Sequence, residues 1–156
     1  MKQNMRKSVF LTLILVGILI LILLVNSMIF VQGPYLKERD IFYQAHQNVM
    51  EQLRAKDGKL LNRYSLNEVT YVSRIRSLSR DWIVWYDETG KIREQIAVSE
   101  IDSEGALSVA YEHGIDNDRM NYGWIDGRPA LVFEDKDREL LLDARSLKVL
   151  MDFEKR

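Results

Sequence analysis

The chain contains no cysteine among its 156 residues. Without thiols there is no disulfide framework, no thiolate metal site, no cysteine nucleophile and no cysteine-linked lipid. A folded domain in this chain must therefore be stable through its hydrophobic core alone. The residues after the N-terminal segment, about 125 of them, are enough to build such a core for one domain or for two small ones.

Acidic side chains are absent from residues 1–31, whose only charges are Lys2, Arg6 and Lys7. The remaining 19 basic and 23 acidic residues give residues 32–156 a formal charge of −4. An acidic domain gains no electrostatic attraction to nucleic acid, and it would need a local basic patch to lie on an anionic membrane surface. We therefore expect no nucleic-acid partner.

A long apolar run follows the basic N-terminus. Residues 9–25 contain no charge, and residues 28–31 extend the run beyond Asn26-Ser27. At about 1.5 Å per residue, a helix of this length covers a hydrocarbon core about 30 Å thick. The sequence predicts a cytoplasmic basic head at 1–8 and a transmembrane signal-anchor helix at 9–31. The positive flank predicts a single-pass protein of the cell membrane with an extracytoplasmic C-terminal part. A cleaved signal peptide is the alternative.

The remaining residues predict a helix followed by strands, twice over. An apolar stripe indicates a neck helix over 37–56, and strand-like runs at 69–75, 82–86 and 91–98 complete a first α+β unit at 32–98. A second unit at 99–156 begins with a helix capped by Asp102 or Ser103 and continues with strands near 120–125, 130–134, 139–142 and 147–153. Asp126-Gly127 is a strong signal for a tight turn. An internal duplication of a small α+β unit is the economical explanation.

The run from Trp82 to Tyr86 is apolar on both faces of its predicted strand. Trp82, Val84 and Tyr86 point to one side, and Ile83 and Trp85 point to the other. Such a strand lies inside the molecule or contacts another one. Packing of the two units against each other accounts for the pattern.

In the second unit, Ile101 is followed by Ala106, Ala110 and Gly114, and this spacing resembles the helix of PepSY-type domains. The segment 140–150 resembles the closing hairpin of that family, with Ser146 and Leu147 in place of the usual Thr and Gly. With a basic head, one anchor, a neck helix and two α+β units, the whole chain is similar to the TseB-like (YpmB-like) cell wall elongation regulators. That resemblance implies cystatin-like folds, no catalytic site and a role beside penicillin-binding proteins.

The predicted fold class is therefore α+β, with an N-terminal transmembrane helix followed by two small PepSY- or cystatin-like units, each a helix with an antiparallel sheet. The residues suggest no chemistry. His46 lies beside the apolar stripe of the neck helix, and His113 lies in the last turn of the second helix, where a cation interacts favourably with the terminal carbonyls. There is no His-Glu-x-x-His, Gly-x-Ser-x-Gly or phosphate-binding loop. We predict no enzyme activity, no catalytic residues, no cofactor, no metal and no small-molecule substrate.

Arginines interleaved with aromatic residues form a candidate interaction surface, because both types are enriched at interface hot spots. The set is Arg63, Tyr64, Tyr71, Arg74, Arg76, Arg80, Trp82 and Trp85. Anionic wall polymers or lipid headgroups are alternative partners for it. In a purely structural interpretation the arginine stems cover a mixed strand face.

The sequence and the resemblance together predict a non-enzymatic, membrane-anchored, extracytoplasmic regulator or adaptor of cell wall elongation. It would act by protein–protein contact with a penicillin-binding protein or another wall-synthesis enzyme. A PepSY-like protease-inhibitory module at the cell surface is the alternative. A membrane-tethered hydrolase, which would depend on an acid or on His46, is the third hypothesis.

Overall fold

The computed structural model describes residues 2–27, 33–66 and 68–155, with the side chains of 14–27, 38–66 and 68–155. The chain divides into two compact units, Met1–Asp40 and Ile41–Arg156. The helices are α1 (Lys2–Ser27), α2 (Gly33–Gln52) and α3 (Ser103–Glu112). The strands are β1 (Asp57–Ser65), β2 (Val69–Ser77), β3 (Arg80–Tyr86), β4 (Ile92–Ala97), β5 (Met120–Ile125), β6 (Arg128–Glu134), β7 (Arg138–Asp143) and β8 (Val149–Glu154).

The prediction of a transmembrane helix at 9–31 is corrected by the structure. In the part of the chain whose side chains are described, no helix is long and apolar enough to cross a membrane. Helix α1 ends at Ser27, and the described side chains of this segment are those of 14–27. Residues 28–31, and the side chains of 9–13, lie outside the described residues.

The fold is mixed α and β, with two four-stranded antiparallel sheets. Sheet 1 has the strand order β1-β2-β3-β4, so that each strand pairs with its neighbour in sequence. The C-terminal part of α2 covers one face of this sheet. Ala45 and Val49 of the helix form a core cluster with Tyr71, Ile75, Val84 and Tyr86 of the sheet.

The opposite face of sheet 1 belongs to a second, larger core. Ile83 and Trp85 of β3 share this core with Ala106 and Ala110 of α3 and with residues of sheet 2 such as Phe133. Strand β3 is therefore buried on both faces, as its sequence predicts. Trp82, Val84 and Tyr86 pack on the α2 side, while Ile83 and Trp85 pack on the other.

Sheet 2 has the strand order β5-β6-β7-β8 and follows α3. The side chain of Asp102 caps α3 by accepting a 2.8 Å hydrogen bond from the backbone N–H of Gly105. At the other end of α3, Arg138 of β7 donates a 2.7 Å hydrogen bond to the backbone carbonyl of His113. The His113 ring lies 2.7 Å from Asp152 of β8. These contacts fasten both ends of the helix, since its terminal backbone groups would otherwise lack partners.

The two sheets are joined by polar contacts as well as by the shared core. The indole N–H of Trp85 donates a 2.8 Å hydrogen bond to the backbone carbonyl of Gly123 in β5. The side-chain amide of Asn62 in β1 donates a 2.5 Å hydrogen bond to the backbone carbonyl of Tyr122. Apart from residues 32–40, the two α+β units predicted from the sequence thus lie within one compact unit, Ile41–Arg156.

Two elements differ from the sequence-based prediction. Strand β1 was not predicted, because no strand-like run was identified between the neck helix, predicted to end at residue 56, and residue 69, whereas β1 occupies Asp57–Ser65. Helix α2 begins at Gly33 and ends at Gln52, four residues earlier at each end than predicted. The conformation of β1 comes from its hydrogen-bonded pairing with β2, because its polar sequence does not by itself indicate a strand.

Candidate functional site

The structure separates the eight residues of the predicted interaction surface. Tyr71 and Trp85 are buried in the two cores, with 2% and 0% of their surface exposed. Trp82 is half-buried and packs against the cluster beneath α2. Tyr64 is half-buried against the outer face of sheet 2, and Arg63 is exposed on β1 opposite Tyr71. These five side chains do not form one surface.

The other three residues of that set, Arg74, Arg76 and Arg80, come together on the hairpin formed by β2 and β3. We call residues 74–81 the hairpin tip. Arg74 Nη2 and Arg76 Nε lie 2.5 and 2.7 Å from the two carboxylate oxygens of Asp81. Hydrogen bonds from Arg76 and then from Arg74 lower the pKa of the Asp81 carboxyl to about 2. The carboxylate therefore stays ionised and holds both guanidinium groups in place at neutral pH.

A groove runs beside the hairpin tip. Its volume is about 740 Å³, and one side is formed by Arg76, Ser79, Arg80 and Asp81. The other side is formed by Val98, Ser99 and Glu100, the short 3₁₀ turn between β4 and α3. Two of the arginines predicted from the sequence, Arg76 and Arg80, thus line a polar cleft. Its second wall comes from a segment that the sequence did not single out.

The turn at the end of the hairpin tip is a feature that no sequence pattern indicated. Leu78 and Ser79 connect β2 to β3, and both have positive φ, 49° and 65°. Two central residues with positive φ are typical of a type I′ turn. Leucine in this conformation is strained, because its Cβ approaches the following carbonyl oxygen. The Leu78 side chain is nevertheless 95% exposed.

A second two-residue turn in the molecule has residues that are suited to positive φ. Asp126 and Gly127 connect β5 to β6 with φ of 48° and 75°. Asp-Gly is among the sequences that favour this turn, because glycine has no Cβ and aspartate tolerates the left-handed region. The two hairpins therefore share a backbone conformation, but only one of them has residues suited to it.

Contacts at its base hold the hairpin tip in place. The hydroxyl of Ser77 donates a 2.7 Å hydrogen bond to the backbone carbonyl of Leu53, just after α2. Trp82 packs into the cluster between α2 and sheet 1. Together with the two arginines on Asp81, these contacts anchor both strands on either side of the turn.

A polar group containing His46 lies beneath α2. His46 Nδ1 lies 3.1 Å from the Ser73 hydroxyl and 3.3 Å from the Tyr86 hydroxyl, and these two hydroxyls are 2.8 Å apart. Burial lowers the pKa of His46, although a hydrogen bond with the Gly58 backbone opposes this. Burial also raises the pKa of Tyr86 to about 12. Because Ser73 is fully buried, the group serves to fasten α2 to sheet 1.

Among the described residues, no three or more histidine, aspartate and glutamate side chains are grouped so that they could hold a metal ion. No protein-family model, no curated protein and no solved structure matches the chain.

Proposed function

We propose that this protein is a non-enzymatic adaptor that binds a protein partner through the hairpin tip. One observation carries the proposal: a nearly fully exposed leucine stands at the end of a hairpin whose base is anchored. An exposed apolar side chain on a turn contributes nothing to the folded core. On a partner's surface it would bury its full area.

The surroundings of Leu78 support a role in binding. Arginine is enriched at interface hot spots, and three arginines flank this leucine within eight residues. Two of them are already oriented by Asp81, so that less side-chain entropy is lost when a partner binds. The groove beside the tip adds a wall from a second segment and enlarges the contact area.

The resemblance to TseB-like regulators supplies the partner class. We propose that the partner is a penicillin-binding protein or another wall-synthesis enzyme, and that the contact regulates cell wall elongation on the extracytoplasmic side of the cell. These statements rest on the resemblance of the chain to that family. The hairpin tip supplies the surface.

The test is affinity purification of the full tagged chain from its own cells, followed by labelling of the eluate with a fluorescent penicillin. We expect labelled penicillin-binding proteins in the wild-type eluate and fewer after the charge reversal Arg80→Glu. Arg119→Glu, on an exposed loop before β5, is the matched control. No labelled protein above the level of an untagged strain would refute the proposed partner class.

A protease-inhibitory module is the second candidate, and the same hairpin favours it, since a rigid exposed loop is what an inhibitor presents to a protease cleft. It predicts that the purified chain inhibits an extracellular protease of the same cell at micromolar concentration and that Leu78→Asn abolishes inhibition. Uninhibited proteolysis, or cleavage of the chain between residues 77 and 80, would count against it.

A further inference from the structure

We infer that Leu78 is the anchor of the interface and that the partner presents an apolar pocket bordered by carboxylates. The inference rests on the proposed function and deepens it, because it specifies the chemistry of the surface that receives the hairpin tip. Three observations support it: the conformation of the turn, the bracing of its base and the distribution of charge.

The first observation is the backbone conformation of the turn. Leu78-Ser79 adopts the same backbone conformation as Asp126-Gly127, although Leu-Ser lacks the conformational freedom of Asp-Gly. The hairpin would close more easily with Asn-Gly or Asp-Gly in these positions. Leu78 makes the turn less favourable, and its exposed side chain adds no packing within the described residues. Binding of Leu78 to another molecule would compensate for the less favourable turn and accounts for a leucine in this position.

The bracing of the base is the second observation. Ser77 is bonded to the carbonyl of Leu53, and Arg76 of β2 is bonded to Asp81 of β3. The strands on both sides of the turn are therefore fixed before any partner arrives. A two-residue turn between fixed strands leaves Leu78 little backbone freedom to lose, which is the condition for an efficient anchor.

Charge is the third observation, and it indicates what surrounds the pocket. Residues 74–81 contain three arginines and one aspartate, a formal charge of +2. All of residues 32–156 together carry −4, so that the rest of this region carries −6. The hairpin tip is thus a basic site on an acidic domain. It is complementary to a partner surface that bears aspartate or glutamate.

A folded protein is favoured over a lipid surface as the binding partner of the hairpin tip. The turn offers a single apolar side chain, flanked by the hydroxyls of Ser77 and Ser79, and one leucine gives little partition into a bilayer. A pocket the size of one side chain, by contrast, is filled by it. The two arginines held by Asp81 present oriented N–H donors, which suits fixed carboxylates of a folded partner.

The experiment places a photoreactive diazirine analogue of leucine at position 78 of the full chain in its own cells, which keeps the size and apolar character of the anchor. The matched control carries it at position 126, the tip of the other two-residue hairpin. After irradiation, the adducts are mapped by mass spectrometry. We expect an adduct from position 78 and none from 126, on a partner segment that contains apolar and acidic residues.

Binding of the purified full chain to that mapped partner then tests the anchor. Leu78→Asn keeps a residue suited to the turn but removes the apolar side chain, and it should weaken binding about tenfold or more. Leu78→Met keeps the apolar volume and should stay within about threefold of wild type. A loss of less than about twofold with Leu78→Asn would overturn the inference.

The outcomes separate this inference from the proposed function. If position 78 gives no adduct while the wild-type chain still recovers penicillin-labelled proteins, the anchor is wrong and the function stands. If the adduct maps to a pocket of a protein outside wall synthesis, the anchor stands and the proposed partner class is wrong. Adducts only to lipid or to a second copy of the chain would overturn the protein pocket, as would binding of the chain to phosphatidylglycerol vesicles that is lost with Leu78→Asn.

Discussion

The indole nitrogen of Trp85 in sheet 1 lies 2.8 Å from the backbone carbonyl oxygen of Gly123 in sheet 2. Trp85 is fully buried, and it also contacts Tyr122 edge-on with ring centroids 5.9 Å apart. One side chain of the first half therefore fills part of the shared core and satisfies a backbone group of the second half.

Trp85→Phe should destabilise the protein by about 2–4 kcal/mol, because it leaves a cavity and removes the donor for a buried carbonyl. The measurement is the free energy of unfolding in urea. Trp124→Phe is the matched control, since the indole nitrogen of Trp124 is buried without a hydrogen-bond partner among the described residues. It should cost clearly less. Equal losses for the two variants would show that the hydrogen bond to Gly123 contributes little.

Gly123→Ala should destabilise the protein by about 1–3 kcal/mol, through overpacking. A Cβ at this position would lie 2.7 Å from Val132 Cγ2 and 3.4 Å from the ring of Tyr64. Adding Val132→Ala should recover part of the loss, because it removes the nearer contact. A thermodynamic cycle over the four proteins measures this coupling. Strict additivity of the two substitutions would contradict the predicted contact.

Replacing Leu78-Ser79 by Asn-Gly should raise the free energy of unfolding by about 1–2 kcal/mol, because both positive-φ positions then carry residues suited to them. The reciprocal change, Asp126-Gly127 to Leu-Ser, should lower it by a similar amount. Urea unfolding of both variants tests the pair. A destabilising effect of Asn-Gly at 78–79 would mean that Leu78 contributes to the fold, which would remove the physical basis for treating it as a binding residue.

The stability of the protein should fall as the pH drops below the ordinary pKa of histidine. Burial lowers the pKa of His46, and the backbone hydrogen bond with Gly58 opposes this only in part. Its neighbours on α2 and sheet 1 are the hydroxyls of Ser73 and Tyr86 and the ring of Phe42, none of which is charged at neutral pH. The unfolded state therefore binds the proton more readily than the folded state does.

It follows that the contribution of neutral His46 is fully present above pH 6.5 and is lost as the pH falls towards and below its lowered pKa. The measurement is the free energy of unfolding between about pH 5 and pH 7.5, with the histidine titration followed by NMR. His46→Gln should flatten the dependence in this range. An unchanged slope in that variant would assign the pH effect to other groups. The aspartates with lowered pKa, such as Asp81, titrate at more acidic pH.

Periodicity and turn chemistry predicted much of the two sheets. The alternation from Trp82 to Tyr86 indicated a strand buried on both faces, and Asp126-Gly127 indicated the turn between β5 and β6. Strand β1 was missed because its sequence from Asp57 to Ser65 is rich in polar residues and has no β-branched residue. Its conformation comes from pairing with β2, which a local pattern does not reveal.

The candidate site was predicted in part. The arginines of the hairpin tip were identified by residue type, but Tyr71 and Trp85 belong to the two cores, because an aromatic residue on a strand is equally suited to a core and to an interface. The turn at Leu78-Ser79 has no Gly, Asn, Asp or Pro, so that no local signal marks it. The Val98–Glu100 wall of the groove comes from tertiary contact between the β2–β3 hairpin and the segment before α3.

The shared core has a consequence for how this protein can be divided. Ile83 and Trp85 of the first half lie in the same cluster as Leu131 and Phe133 of the second. Cutting the chain between Val98 and Ser99 would expose apolar core surface to solvent on both fragments, even though each retains a helix and a complete four-stranded sheet. The helix-and-sheet repeat predicted from the sequence is thus not the unit that folds. Expression of either half alone would yield an aggregation-prone fragment.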